Sequence, residues 1–216
     1  MRMFGFWRSA AAHRVRIGLN LKGLRFEETM IDLDAGQQAS EAYREVNPGA
    51  VVPTLIEEDG SSFHQSLAIL EYLDETRPEP PLLPRDPKGR ARVRALALIW
   101  AADSHPFITP RVRSYLTEHF GVDEAGRMEW IRHWLSRGLE VGDARLSADA
   151  ETGRFCHGDQ VTIADICLAV QAGGAKHFGV EMERFPTIGR IWRNCLEIEA
   201  FAAAQPLRQP GAPKPA

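Results

Sequence analysis

Residues 51–66 read Val-Val-Pro-Thr-Leu-Ile-Glu-Glu-Asp-Gly-Ser-Ser-Phe-His-Gln-Ser. A proline stands directly before a short apolar strand, Thr54 to Ile56; Asp59-Gly60 supplies a turn; a second short strand follows; and polar Gln65-Ser66 opens an apolar-periodic helix. Pro53 has no N–H to give a ladder; if its peptide bond is cis, as a tight turn at a strand start allows, the chain bends there and Val52 can offer its N–H and C=O to a bound peptide. The following helix begins with unpaired N–H groups and a positive dipole end, and the hydroxyl of Ser66 beside them can hold a carboxylate. Together these features suit a small acidic peptide. An ordinary hairpin leading into a helix capped by Ser66 accounts for the same residues.

Upstream, a short apolar strand at Met3 to Phe6 is followed by a helical stretch from about Ala11 to Lys22, closed by Gly23, and by an alternating strand from Arg25 to Ile31. A short polar helix spans about Ser40 to Val46, and the helix after the hairpin runs from Gln65 to Glu75. The order is β-α-β-α-β-β-α. A strand-helix-strand start requires a parallel pair, and the closing hairpin is antiparallel, so the expectation is a mixed four-stranded sheet of thioredoxin-like type over residues 1–77.

Residues 78–87 contain five prolines in ten positions, a density that no helix or central strand survives, and read as a stiff connector. Beyond it strand signals nearly vanish. Val93, Leu96, Ala97, Trp100 and Ala101 follow helical spacing, as do Ile131, Trp134, Leu135, Gly138 and Gly142. Residues 88–204 are therefore expected to be an all-α bundle, and the proline-rich 205–216 an irregular tail. Thr162-Ile163-Ala164-Asp165 reads as a capping box whose work is folding. Trp100, Trp130, Trp134 and Trp192 read as core or helix-interface residues.

Composition narrows the function class. The chain is 44% hydrophobic and 25% charged, with a formal net charge of -3 and no long basic run, which gives no electrostatic reason for nucleic acid or an anionic membrane. With no apolar run of membrane-spanning length and no long apolar segment at the start, a cytoplasmic protein is expected. Cys156, Cys167 and Cys195 have neither close pairing nor metal spacing, which fits reduced, packed thiols and no metal.

Arg14-Val15-Arg16-Ile17, Asn47-Pro48, Val52-Pro53-Thr54-Leu55 and His64-Gln65-Ser66-Leu67-Ala68-Ile69, in this order and joined to the connector and the capping box, carry a resemblance. The chain resembles the soluble glutathione transferases, and within them the zeta class, which includes maleylacetoacetate and maleylpyruvate isomerases, from about Met3 to Pro210. The resemblance implies glutathione as cosubstrate. Val52, after which Pro53 turns the chain, would pair with its cysteinyl backbone; Gln65 and Ser66 would hold the γ-glutamyl end; Gln37 or Gln38 would reach the glycyl end; and His105, of the family's His-Pro pair, belongs with the cofactor-binding set.

The catalytic segment departs from the pattern. Where zeta enzymes carry a Ser-Ser-Cys type motif at a helix start, this chain has Ser9-Ala10-Ala11-Ala12-His13, and only the first serine remains. Ser9 is still placed to favour the thiolate of glutathione, although an N-cap serving its helix alone would also use a serine. The family's substrate-binding arginines match Arg8 and Arg111, with Lys176-His177 at the place of the third; surface ion pairs are the plainer account of Arg8 and Arg111. Ile108 and Thr109 stand where amides are usual. Implied, then, is an enzyme whose bound thiolate attacks a small electrophile such as a dicarboxylate, ending in cis-trans isomerisation or in a conjugate. The alanines at 10 and 11 also leave room for a binding or assembly protein on the same fold. Family precedent implies a homodimer.

Overall fold

The computed structural model describes residues 1–213. They group into two compact units, one formed by Met1–Leu82 together with the chain from Ile198 onward, the other by Leu83–Glu197. The division falls inside the proline-rich stretch, so Pro78 to Leu82 belong with the first unit.

The first unit contains β1 (Arg2–Gly5), α1 (Ala10–Leu21), β2 (Glu27–Met30), a 3₁₀ turn (Gln37–Ala39), α2 (Glu41–Val46), β3 (Thr54–Ile56), β4 (Ser62–His64) and α3 (Ser66–Thr76). The sheet order is β2-β1-β3-β4, with β1 parallel to β2 and antiparallel to β3, and β3 antiparallel to β4. This is the mixed β-α-β-α-β-β-α sheet of a thioredoxin-like domain. The strands start and stop within a residue or two of the sequence reading, and Gln65 lies outside α3 as its N-cap.

Strand alternation builds two cores. Met3 and Leu55 point to the face covered by α1 and α3, where they meet Val15, Leu19, Ile69 and Leu73, all fully buried. Phe4, one residue on from Met3, points to the other face and packs with Phe6, Ile31, Tyr43 and Val52. Truncating Leu55 or Leu73 to alanine would cost about 2–5 kcal/mol each. Helices α1 and α3 approach closely because Gly18 has no side chain; a Cβ there would collide with Cδ2 of Leu70.

Lys22, just past the end of α1, fixes the first part of the connector. Its Nζ donates to Asp74 Oδ1 at 2.8 Å, to the carbonyl of Arg77 at 2.7 Å and to that of Pro80 at 2.6 Å, which uses all three of its protons. The same Asp74 oxygen accepts from the N–H of Leu82 at 2.7 Å. The buried ammonium is thus paired and fully bonded, the condition under which burying a charge is tolerable. Further along, α9 (Glu199–Ala203) packs on α1, and Asn20 Nδ2 donates to the carbonyl of Ala200 at 3.1 Å. The tail then makes a 3₁₀ turn at Pro206–Arg208; residues 214–216 of the expected irregular tail lie outside the described residues.

The second unit is helical: α4 (Pro87–Ala101), a 3₁₀ turn (His105–Ile108), α5 (Pro110–Phe120), α6 (Glu124–Ala148), α7 (Ile163–His177) and α8 (Pro186–Leu196). α7 is buried along most of its length and packs against α4, α6 and α8. Trp100 is fully buried and its indole N–H donates to the carbonyl of Gly138 at 3.1 Å. Gly142 is glycine for the same contact, since a Cβ there would lie 2.6 Å from Trp100 Cζ2.

Candidate active site

Strand directions gather the first unit's candidates at one end of the sheet. β1 and β2 run parallel with Gly5 opposite Met30, so both leave the sheet at that end. Thr54 pairs with Phe4 and with His64, so β3 enters and β4 leaves there too. The segments carrying Arg8 and Ser9, Gln37 and Gln38, Val52 and Pro53, and Gln65 and Ser66 therefore converge, although they are spread over 59 residues of sequence.

Ser9 is the N-cap of α1, with extended backbone and its Oγ accepting from the N–H of Ala12 at a long 3.2 Å. The N–H groups of Ala10 and Ala11 have no partner among the described residues. The loop before Ser9 is held by Arg16, which is 1% exposed: its guanidinium donates to the carbonyl of Phe6 at 2.9 Å and of Trp7 at 3.3 Å, and pairs with Glu28 at 2.5 Å. The neighbouring His13 is buried, and desolvation, aided by the charges of Arg16 and Arg14, pushes its pKa down to about 3. It is neutral at physiological pH.

The Val52-Pro53 bond is cis. Tyr43 Oη donates to the carbonyl of Val51 at 2.8 Å, Asn47 Nδ2 donates to the same carbonyl at 2.9 Å, and both side chains also bond to the hydroxyl of Thr54 behind the loop. The N–H and C=O of Val52 have no partner among the described residues, the arrangement an extended peptide would complete. Beside them α3 begins without a side-chain cap. Gln65 sits at φ 70°, a left-handed conformation rare for a residue with a side chain, and the N–H groups of Ser66, Leu67 and Ala68 have no partner among the described residues. Ser66 is 5% exposed and its Oγ accepts from Arg14 Nε at 2.9 Å.

Arg8 ion-pairs with Asp34, both partners half-exposed, and lies over the rings of Phe6 and Trp7. Of the two glutamines, Gln37 has its Oε1 accepting from the N–H of Asp32 at 2.9 Å, whereas the buried Oε1 of Gln38 has no partner among the described residues. In the second unit, His105 opens the 3₁₀ turn, Arg111 is exposed in the first turn of α5, and Lys176 and His177 end α7, with Lys176 Nζ 5.7 Å from the ring centre of Trp192.

Comparison with known proteins agrees with this geometry. A family model for the N-terminal domain of glutathione S-transferases matches residues 8–76. Maleylpyruvate isomerase of Ralstonia sp is 40% identical over 97% of this chain and 99% of its own length. A solved maleylacetoacetate isomerase from Methylobacterium extorquens AM1, with malonate and glutathione bound, superposes with a TM-score of 0.97 at 48% identity, covering 99% of this chain and all of that one. The holo structure of a maleylpyruvate isomerase described as a bacterial zeta-class glutathione transferase gives a TM-score of 0.95 at 39% identity, with 99% and 100% covered. The chain belongs to the zeta class of the glutathione transferases.

Sequence reasoning named the residues that this transferase gathers at the end of the sheet and overlooked those that hold them in place. Arg14 and Arg16 belong to the signature that carries the resemblance, which attaches no role to them. Their signal was local: two arginines alternating with Val15 and Ile17 in an otherwise apolar helix must either face water or be buried with partners, and both are buried. Tyr43 and Asn47 gave no such signal, because their partners depend on how the loop before β3 folds. Among the described residues of this transferase no cluster of His, Cys, Asp or Glu could hold a metal, and no helix is long and apolar enough to cross a membrane.

Proposed function

We propose that this enzyme binds glutathione at the end of the thioredoxin-like sheet and uses its thiolate on a small acidic electrophile. The observation that carries the reading is the coincidence of two open groups at one place: the unpaired main chain of Val52 and the uncapped start of α3. An extended peptide backbone completes the first and a carboxylate the second. Gln65 and Ser66 then take the γ-glutamyl end, Gln38 takes the glycyl end, where its unmatched oxygen can accept from the glycyl N–H, and the family resemblance assigns His105 to the cofactor set.

Glutathione, when bound, supplies a thiolate that adds reversibly to a cis alkene and leaves it trans, or remains attached where the substrate carries a leaving group. Ser9 supports the charged sulfur with its O–H, and the free N–H groups of Ala10 and Ala11 with the dipole of α1 favour the anion over the thiol. Alanines at 10 and 11 remove side-chain donors from the site without removing these main-chain ones. Arg8 is suited to a substrate carboxylate: its pair with Asp34 is exposed, hence weak, and a dicarboxylate can replace it. Arg111, Lys176 and His177 are assigned to the same acidic class of substrate, the two latter with a geometry less suited than an arginine to bidentate contact.

Turnover of maleylacetone and of 1-chloro-2,4-dinitrobenzene in the presence of glutathione tests this. Isomerisation of the first exceeding conjugation of the second is expected; glutathione binding with activity on neither substrate would refute it. We further read the protein as cytoplasmic, in keeping with its three buried free cysteines, and as a homodimer, with Leu98, Tyr115 and Phe120 exposed as apolar surface; light scattering after size exclusion checks the latter.

A further inference from the structure

Arg14 lies in α1, is 4% exposed, and reaches across to the first residue of α3, 52 positions later, where its Nε donates to Ser66 Oγ at 2.9 Å. A serine hydroxyl has one proton and two lone pairs, and an arginine has only donors. At this contact Ser66 must therefore accept, and its own proton cannot be directed back at the guanidinium. Ser66 makes no other side-chain hydrogen bond among the described residues, so the proton is left for a group outside the chain. Hydrogen bonding to a cation polarises the hydroxyl and makes it a better donor in turn. Adjacent to it stand the unpartnered N–H groups of Ser66, Leu67 and Ala68, which also favour an anion.

We propose that Arg14 is a positioning residue for the ligand's γ-glutamyl α-carboxylate: it fixes the Ser66 hydroxyl as a donor aimed at that group. The inference rests on the assignment of the α3 start to the γ-glutamyl end. Arginine suits this task where lysine does not. Its charge is permanent at any working pH, and Nε–H leaves the planar group at a fixed angle, so the hydroxyl is held in one rotamer instead of following a mobile ammonium. Burial of both partners keeps water from competing for the same lone pair. His13 beside it stays neutral, so the charge behind Ser66 does not vary across the physiological range.

The test compares glutathione with 4-aminobutyryl-cysteinyl-glycine, which lacks only that carboxylate, by titration calorimetry. The wild type is expected to prefer glutathione by at least about tenfold, the size of a charge-assisted hydrogen bond. Arg14→Lys and Ser66→Ala should each remove most of this preference while leaving the analogue's affinity in place, and the double variant should be no worse than Ser66→Ala alone. Arg14→Gln, which keeps an N–H donor without the charge, provides a second variant should the lysine one fail to fold, and is expected to retain part of the preference. A purely structural arginine would weaken both ligands alike, or leave the ratio at its wild-type value, and either result overturns the proposal. A wild type that does not distinguish the two ligands would instead refute the γ-glutamyl assignment, and the role of Arg14 with it.

Discussion

Two helices of this transferase begin in opposite ways. α7 starts under a closed cap: Asp165, fully buried, accepts from the N–H and the hydroxyl of Thr162, both at 2.8 Å, and from the N–H of Cys156 at 2.7 Å, so the helix start is tied to the loop before it. Burial pushes the Asp165 carboxyl up and these bonds pull it back. α3 starts open: Gln65 contributes no capping bond, holds a left-handed backbone, and leaves three N–H groups unpartnered beside a hydroxyl that a buried arginine has turned into a donor. The first turn of α7 is tied by a side-chain cap to the loop before it, and that of α3 is not, which leaves the α3 start open to a ligand group.

The contrast fails first if α7 can lose its cap cheaply. Asp165→Ala strands three buried donors at once, and the expected loss is about 3–4 kcal/mol, several times an ordinary exposed cap. In a chain of this size that lowers the thermal midpoint by roughly 10 °C. At a temperature where the variant is still folded, glutathione affinity should be unchanged. A loss under about 1 kcal/mol would mean the closed start is ornamental.

The start of α1 lies between the two types, because Ser9 both caps and, by the proposed function, activates. Its capping bond is long, so Ser9→Ala should cost the fold at most about 1 kcal/mol. Catalysis should fall about 10²-fold in kcat/KM, or close to 2.7 kcal/mol, with the acid limb of the pH–rate profile moving to higher pH as the bound thiol becomes harder to ionise. Full activity with an unchanged profile would return Ser9 to a capping role alone. Ser66→Ala reverses the Asp165 pattern. Glutathione affinity should weaken by roughly 10–30-fold, about 1.4–2 kcal/mol, with a smaller change in unfolding free energy.

How much of this could be read in the sequence follows from distance along the chain. The α7 cap is contained in four consecutive residues, Thr162 to Asp165, and was legible in full apart from its bond to Cys156. The parallel pair of β1 and β2 and the antiparallel hairpin of β3 and β4 were legible because the crossover helix and the turn residues fix strand directions. Arg14 on Ser66, Arg16 on Phe6 and Trp7, and Lys22 on Asp74, Arg77 and Pro80 were not. Each is a buried charge whose partner is set by tertiary packing, and a local pattern states only that such a residue needs a partner. Gln65 shows the converse: periodicity placed it inside the helix, but the backbone leaves the helical region one residue before α3 begins.

That last residue gives the smallest and most discriminating prediction. A non-glycine residue at φ 70° is strained, and glycine at the same position is not, so Gln65→Gly should stabilise the ligand-free protein by about 0.5–1 kcal/mol. The same change removes the Gln65 side chain from the γ-glutamyl site, so glutathione should bind about 3–10-fold more weakly. Stability and affinity then move in opposite directions, which no substitution at Thr162 or Asp165 can produce, since there the same bonds serve only the fold. If Gln65→Gly were destabilising, the left-handed backbone would be supported by contacts of the glutamine side chain, and the open start of α3 would be as much a structural feature as the closed start of α7.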